Sequence, residues 1–253
     1  MTRYILIASG KGGTGKTSCS INLAAAFTYF NKDVILVDAN IYNPNLSINL
    51  GIINPIKNMQ EVLLGKYHIL EAIHNHSSRM RIVPLSISSS YITKMDLSNF
   101  KRVLYGMDGL ADFVFIDGTS GNNIDTIHLI NAVNEIIIIT NPDTASLTDA
   151  MKTIRLANYY KKPVRGIILN KTTPNDFYTS QDVENLMKTE VLGSIELNHL
   201  IPMANHYKDS ILNLYPLDRS SLGFKKIASD LLNEYFEFKV ENKGFFSRFV
   251  KLK

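Results

Sequence analysis

Eight residues near the start of the chain, Gly10-Lys11-Gly12-Gly13-Thr14-Gly15-Lys16-Thr17, restrict the available folds more than any other stretch. They follow a short apolar run, Tyr4-Ile5-Leu6-Ile7-Ala8, and precede Ser18 to Phe30, a segment long enough for a helix. Glycines at this density let the backbone wrap an anion in conformations barred to residues with a Cβ. The N–H groups so exposed, with the start of the following helix, form an anion site. The spacing G-x-x-x-x-G-K-[ST] between a strand and a helix is that of a phosphate-cradling loop. On this reading Lys16 reaches the β- and γ-phosphates of a nucleotide and Thr17 ligates Mg²⁺.

The rest of the chain repeats the same alternation. Val34-Ile35-Leu36-Val37 ends at Asp38, Phe113-Val114-Phe115-Ile116 at Asp117, Ile136-Ile137-Ile138-Ile139 at Thr140, and Gly166-Ile167-Ile168-Leu169 at Asn170, with Arg81-Ile82-Val83-Pro84 a further run. These runs are continuously apolar rather than alternating, so both faces of each strand are buried, as in a parallel sheet. Segments such as Thr148 to Tyr159 between them suit crossover helices, and Leu222 to Tyr235 suits a last core helix. The expected fold is α/β: a mostly parallel twisted sheet with helices on both faces, in three layers. Ligands of such sheets sit at the carboxyl ends of the strands. The polar residues closing each run are therefore the site candidates: the glycine loop, Asp38, Asp117, Thr140 to Asp143 and Asn170.

The second lysine, Lys11, directly after the first glycine, makes the loop resemble the deviant, signature-lysine Walker A of the MinD/ParA family of P-loop ATPases, and the Thr14 form is similar to that of archaeal MinD proteins. The resemblance covers nearly the whole chain. Val37-Asp38-Ala39-Asn40 with Asn45-Leu46 sits where the family has D-x-D and a later N-L, and Asp112 to Asp117 resembles its Walker B strand. Thr140-Asn141-Pro142-Asp143 and Thr148-Asp149-Ala150 look like the T-N-P-E element and following S-D helix of MinD proteins. Leu169-Asn170-Lys171 resembles the adenine-contacting asparagine, and Ile201-Pro202 the loop bordering the base. The resemblance implies ATP and Mg²⁺ as cofactors, with Gly10 to Thr17, Ser18, Asn170 and Pro202 around the nucleotide and Thr17, Asp38 and Asp117 around the metal. It implies catalytic roles for Lys11, Lys16, Asp38 and the residue at position 40. It also implies an ATP-dependent homodimer, in which Lys11 crosses to the partner's phosphates, and a protein partner near Asp149.

Two positions depart from the family pattern. Asn40 stands where the family's second aspartate is implicated in placing the attacking water. An amide can orient water but cannot act as a base. Because base assistance is worth about 10²–10⁴-fold, hydrolysis is expected to be slow or to wait for a partner. Gly118-Thr119-Ser120-Gly121 replaces the family's proline-bearing turn.

The C-terminal stretch carries the other strong signal. Phe245, Phe249 and Leu252 recur at helical spacing, with Phe246 and Val250 widening the apolar face and Lys243, Ser247, Arg248 and Lys251 opposite it. A basic face opposite aromatic and aliphatic residues suits a helix lying in an anionic membrane interface, and the segment resembles the membrane-targeting end of MinD proteins. The expected organisation is an ATPase domain over residues 1–238 and a linker with amphipathic helix over 239–253. Two such helices in a dimer add avidity. The expected location is the cytoplasm, peripherally at the inner face of the cell membrane.

Composition excludes other classes. A chain of 253 residues, 45% hydrophobic and 20% charged, has material for one full core. No apolar run approaches the roughly 20 residues that span a bilayer. A formal net charge of +4 is mild for a dedicated nucleic-acid binder, which counts against the alternative of a ParA-type DNA-partition ATPase. An ATP-locked scaffold with little hydrolysis is the other alternative, motivated by Asn40. The one cysteine, Cys19, cannot build a paired-cysteine cluster and reads as a small buried helix residue. The six histidines show no ligand spacing with acids or cysteines.

Overall fold

The computed structural model describes residues 1–88 and 96–237. Its centre is an eight-stranded sheet. In chain order the strands are β1 (Arg3–Ser9), β2 (Val34–Asp38), β3 (His74–Asn75), β4 (Arg81–Val83), β5 (Phe113–Ser120), β6 (Glu135–Thr140), β7 (Val164–Thr172) and β8 (Val191–Glu196). They lie side by side in the order β3-β4-β2-β5-β1-β6-β7-β8, so β1 is central. All neighbouring pairs are parallel except β3 with β4.

The continuous apolar runs are explained by two cores, one on each face. Side chains alternate across a strand. Tyr4, Leu6 and Ala8 of β1 enter one core, and Ile5 and Ile7 enter the other. The second core is covered by α1 (Lys16–Tyr29), α2 (Asn45–Asn49), α8 (Leu200–His206), α9 (Ile211–Leu214) and α10 (Arg219–Leu232). The first is covered by α3 (Met59–Leu63), α4 (Phe100–Tyr105), α5 (Ile124–Ala132), α6 (Thr144–Tyr159) and α7 (Ser180–Met187). Phe27 of α1 seats its ring edge-on against Phe113 and Phe115, at 4.8 and 4.9 Å between centroids. The expected three-layer α/β fold is the observed one.

Helix ends differ from the sequence expectation because capping side chains decide them. The last helix begins at Arg219, not Leu222, since the Asp218 side chain accepts from the Ser220 N–H. It ends at Leu232, where Asn233 turns left-handed at φ 54°. Likewise Asp143 accepts from the Ser146 N–H and starts α6 at Thr144 rather than Thr148. β8 carried no clear apolar run because it is a half-exposed edge strand, with only Ile195 buried.

At the carboxyl ends the register gathers the polar candidates. Asp38 pairs in register with Asp117, Ile7 also with Asp117, and Ser9 with Ser120. The chain returns after α10 to pack Phe236 near Tyr29 and Phe30, at 6.3 and 6.0 Å between ring centroids. Phe245, Phe246, Phe249, Val250 and Leu252, with the proposed 239–253 segment, lie outside the described residues.

Candidate functional site

The glycine loop leaves β1 at Ser9 and enters α1 at Lys16. Two of its glycines take left-handed backbone angles, Gly13 at φ 82° and Gly15 at φ 87°, which side chains disfavour. A Cβ on Gly12 or Gly13 would meet nothing within 4 Å, so that arc of the loop faces open space. Its other flank is tightly backed. A Cβ on Gly10 would overlap the Asp149 carbonyl of α6, and one on Gly15 would overlap the Asn170 amide.

Beneath the loop lies a buried charged cluster. Lys16 Nζ donates to Asp117 Oδ1 at 2.7 Å, and both side chains are almost wholly buried. Thr17 Oγ1 donates to Asp117 Oδ2 at 2.6 Å and Ser20 Oγ to Oδ1 at 3.0 Å. Asp117 therefore gathers the lysine and the hydroxyl that the sequence assigned to phosphate and metal. Asp38, fully buried beside it, accepts the Asn40 N–H on Oδ1 at 3.0 Å, while its Oδ2 has no partner within hydrogen-bond geometry among the described residues. Burial, and then the neighbouring Asp117, push the Asp38 carboxyl well above the ordinary carboxylate range.

A buried oxygen left unpaired among carboxylates is a costly arrangement unless a cation completes it. Mg²⁺ fits these groups: it takes oxygen donors, is held by one or two carboxylates, and keeps waters or phosphate oxygens for the rest. Among the described residues there is no group of three or more His, Cys, Asp or Glu placed to hold a metal. Lys16 and the backbone N–H groups of the loop could supply the complementary charge for a phosphate.

Lys11 stands apart. Its side chain is half-exposed, and its acidic neighbour is Asp143 at 3.8 Å. Burial opposes ionisation of Asp143, but hydrogen bonds from Ser146 and the nearby Lys11 outweigh it and hold the carboxyl below its usual range. Asn40 is buried at 7% exposure in the loop after β2, next to Asp38.

The expected base-side residues, Asn170 and Pro202, each differ from expectation. Asn170 donates from Nδ2 to the Thr14 carbonyl at 2.7 Å. It thus braces the loop as well as standing at the end of β7. With its amide oriented so that Nδ2 rather than Oδ1 faces them, Asn141 donates to the Asn170 and Thr14 carbonyls, each at 3.2 Å. Pro202 lies not in a loop but in the first turn of α8, where a proline costs no hydrogen bond. Asn205 of α8 donates to Ser18 Oγ at 3.2 Å, so the helix sits against the start of α1. Lys171, which sequence reasoning assigned no role, donates from Nζ to the Gly13 carbonyl at 2.7 Å. Its only sequence signal was adjacency to Asn170. Of the histidines, His74 meets the Lys57 carbonyl, and His76 meets Ser78 and the Lys208 carbonyl.

Comparison with known proteins places this geometry in context. The family model described as ParA, NUBPL iron-transfer P-loop NTPase, matches residues 1–232. An uncharacterized ATP-binding protein of Methanocaldococcus jannaschii is 28% identical over 254 residues, covering 99% of this chain and 96% of that one. The septum site-determining protein MinD of Pyrococcus horikoshii, solved in complex with Mg-ADP, superposes with a TM-score of 0.87 at 27% identity, over 91% of this chain and 96% of that one. The cell division ATPase MinD of Pyrococcus furiosus superposes with a TM-score of 0.88 at 26% identity, over 92% and 99%.

Proposed function

The chain belongs to the ParA family of P-loop NTPases, and from that premise we propose that it is a MinD-like ATPase that dimerises with ATP and then holds to an anionic membrane surface to position other cellular machinery. ATP and Mg²⁺ are the cofactors of this reading. The N–H groups of Gly10 to Thr17 hold the phosphates, with Lys16 at the β- and γ-positions. Thr17 and Asp38 hold Mg²⁺, with Asp117 beside them. Bound together, ATP and Mg²⁺ supply the transferable phosphoryl group and the charge that organises it.

The observation that carries the proposal is the pair of lysines on one glycine loop in contrasting settings. Lys16 is buried and fixed on Asp117, whereas Lys11 is half-exposed with only an ion pair at 3.8 Å. A surface pair of that kind is worth little, about 0–1 kcal/mol. Lys11 is therefore free to leave Asp143 for a stronger anion. In a dimer the triphosphates of two subunits would repel across the interface, and a lysine from each side offsets that repulsion. Asn40 supports slow hydrolysis, since its amide can orient a water but cannot take its proton.

The iron-transfer activity in the family model's description does not suit this chain. Cys19 is 1% exposed in α1, and burial with the nearby Asp117 pushes its thiol up to about 12. A thiol so placed is inert as a ligand. Among the described residues no helix is long and apolar enough to cross a membrane, so the membrane part of the reading rests on residues 239–253. Asp149, partly exposed on α6, marks the face for a protein partner.

The test is co-sedimentation with anionic vesicles in ATP, ADP or no nucleotide, with turnover recorded alongside. Pelleting is expected in ATP only, and to vanish on deletion of residues 239–253 while nucleotide binding persists. Equal pelleting in all three conditions, or a monomer when saturated with a non-hydrolysable analogue, would refute it.

A further inference from the structure

The loop after β2, residues 39–44, carries Asn40. The loop after Asp117 runs through Gly121 to the first turn of α5. Each is organised internally. In the first, the Asn43 N–H donates to the Asn40 carbonyl at 3.0 Å and the Asn40 N–H to Asp38 at 3.0 Å. In the second, the Thr126 hydroxyl lies 2.7 Å from the Gly121 carbonyl and 2.9 Å from Thr119 Oγ1, while the Thr126 N–H donates to the Asn123 side chain. Gly121 N–H in turn donates to the Ser9 carbonyl at the root of the glycine loop, at 3.0 Å.

Beyond the backbone bond from the Ala39 N–H to the Asp117 carbonyl at 2.9 Å, one side-chain hydrogen bond among the described residues joins these two units. Tyr42 Oη donates to Asp125 Oδ2 at 2.6 Å. Asp125 is buried at 7% exposure in the first turn of α5, while Tyr42 is half-exposed. A hydroxyl bonded to a carboxylate at such a distance belongs to the stronger class of hydrogen bonds. Burial on the acceptor side shields it from competing water. The bond is also firm enough to hold the Tyr42 phenol above its ordinary range, through Asp125 first and burial second.

We propose that the Tyr42–Asp125 hydrogen bond is a latch that makes the Asn40 loop and the Gly121 loop one mechanical unit, with Tyr42 and Asp125 as positioning residues for Asn40. A continuous run of hydrogen bonds then links Ser9, Gly121, the first turn of α5 and the loop bearing Asn40. Asn40 has no charge with which to hold a water, so its placement matters more than it would for a carboxylate. The consequence for turnover rests on the ATPase reading; the latch itself does not.

Amide hydrogen exchange by mass spectrometry on the full chain tests it, in the wild type, Tyr42→Phe, Asp125→Ala, which removes the acceptor, and the double variant. Tyr42→Phe keeps the ring and removes only the hydroxyl. Exchange in residues 39–45 and in 119–126 is expected to rise together by about tenfold, the loss of one net hydrogen bond to a charged group. The double variant is expected to match the single ones within about twofold, since all break one interaction. A rise confined to 39–45, a multiplicative double variant, or a rise spread over the whole chain with β1 included would each overturn the latch. In turnover, Tyr42→Phe is expected to lower kcat by about tenfold with KM for ATP within about twofold, because the hydroxyl is directed at Asp125. A shifted KM with kcat intact would overturn the positioning role. The exchange readout needs no nucleotide, so failure of the latch and failure of the ATPase reading are separate results.

Discussion

Replacing Asp38 by asparagine is expected to stabilise the protein while destroying its metal site. Asp38 is fully buried, borders Asp117, and has one oxygen without a hydrogen-bond partner among the described residues. The net penalty for a buried ion in a protein is several kcal/mol. The amide of Asp38→Asn still accepts the Asn40 N–H through its oxygen, and its NH₂ takes the place of the unpaired Oδ2. An unsatisfied amide costs about 1–3 kcal/mol, which leaves a net gain of about 1–2 kcal/mol. For a chain of this size that corresponds to about 3–6 °C in Tm. The pH dependence has a definite sign. The folded carboxyl lies above the ordinary aspartate value of 3.8, so its stability contribution is complete below that value and is lost as pH rises through the folded one. The Tm advantage of Asp38→Asn is therefore expected to widen from about pH 4 to neutrality. Thermal unfolding without nucleotide or magnesium, in matched buffers across that range, measures it. Adding Mg²⁺ with a non-hydrolysable ATP analogue should raise the wild-type Tm and leave the variant unmoved. An asparagine variant less stable than the wild type at neutral pH, or an advantage that does not change with pH, would refute the reasoning.

Two further substitutions probe the loop and its surroundings. Gly10→Ala forces a Cβ into the Asp149 carbonyl of α6, a backbone group that cannot swing aside; urea unfolding is expected to show a loss of about 1–3 kcal/mol, with weakened nucleotide binding, and a neutral outcome would mean α6 does not seat on the loop. Asn40→Asp restores a group able to accept a proton, and single-turnover hydrolysis should rise by about 10²-fold at neutral pH; no change would show that a base at position 40 contributes nothing here.

The fold was legible because its signals are local. A four-residue apolar run such as Ile136 to Ile139 can be buried on both faces only in the middle of a parallel sheet, and the glycine loop fixes where the first strand stops. Polar residues closing each run therefore located Asp38, Asp117 and Asn170 at one edge. Pairings between distant residues were not legible. Nothing in the order of residues brings Lys16 to Asp117, 101 positions away, or Lys171 to Gly13, 158 away. Helix boundaries failed for a related reason: Asp143 and Asp218 read equally well as loop acids and as caps until the backbone direction is known.

The same division explains why the two lysines, alike in sequence, differ in what they can do. Lys16 begins α1, so the helix that buries Phe27 against the sheet also fixes its Nζ on Asp117. Phosphate must compete with that carboxylate for the lysine, and metal must compete with it for Thr17. On the proposed reading, binding both at once would offset the loss, because a cation held by Asp117 and Asp38 would satisfy the carboxylates that Lys16 and Thr17 leave. Phosphate without metal leaves Asp117 and Asp38 buried without sufficient countercharge, and metal without phosphate leaves Lys16 against a cation. Under the proposed function the buried cluster would favour joint occupancy by ATP and Mg²⁺ over either alone, while Lys11, outside it, would be left to meet the phosphates of a second subunit.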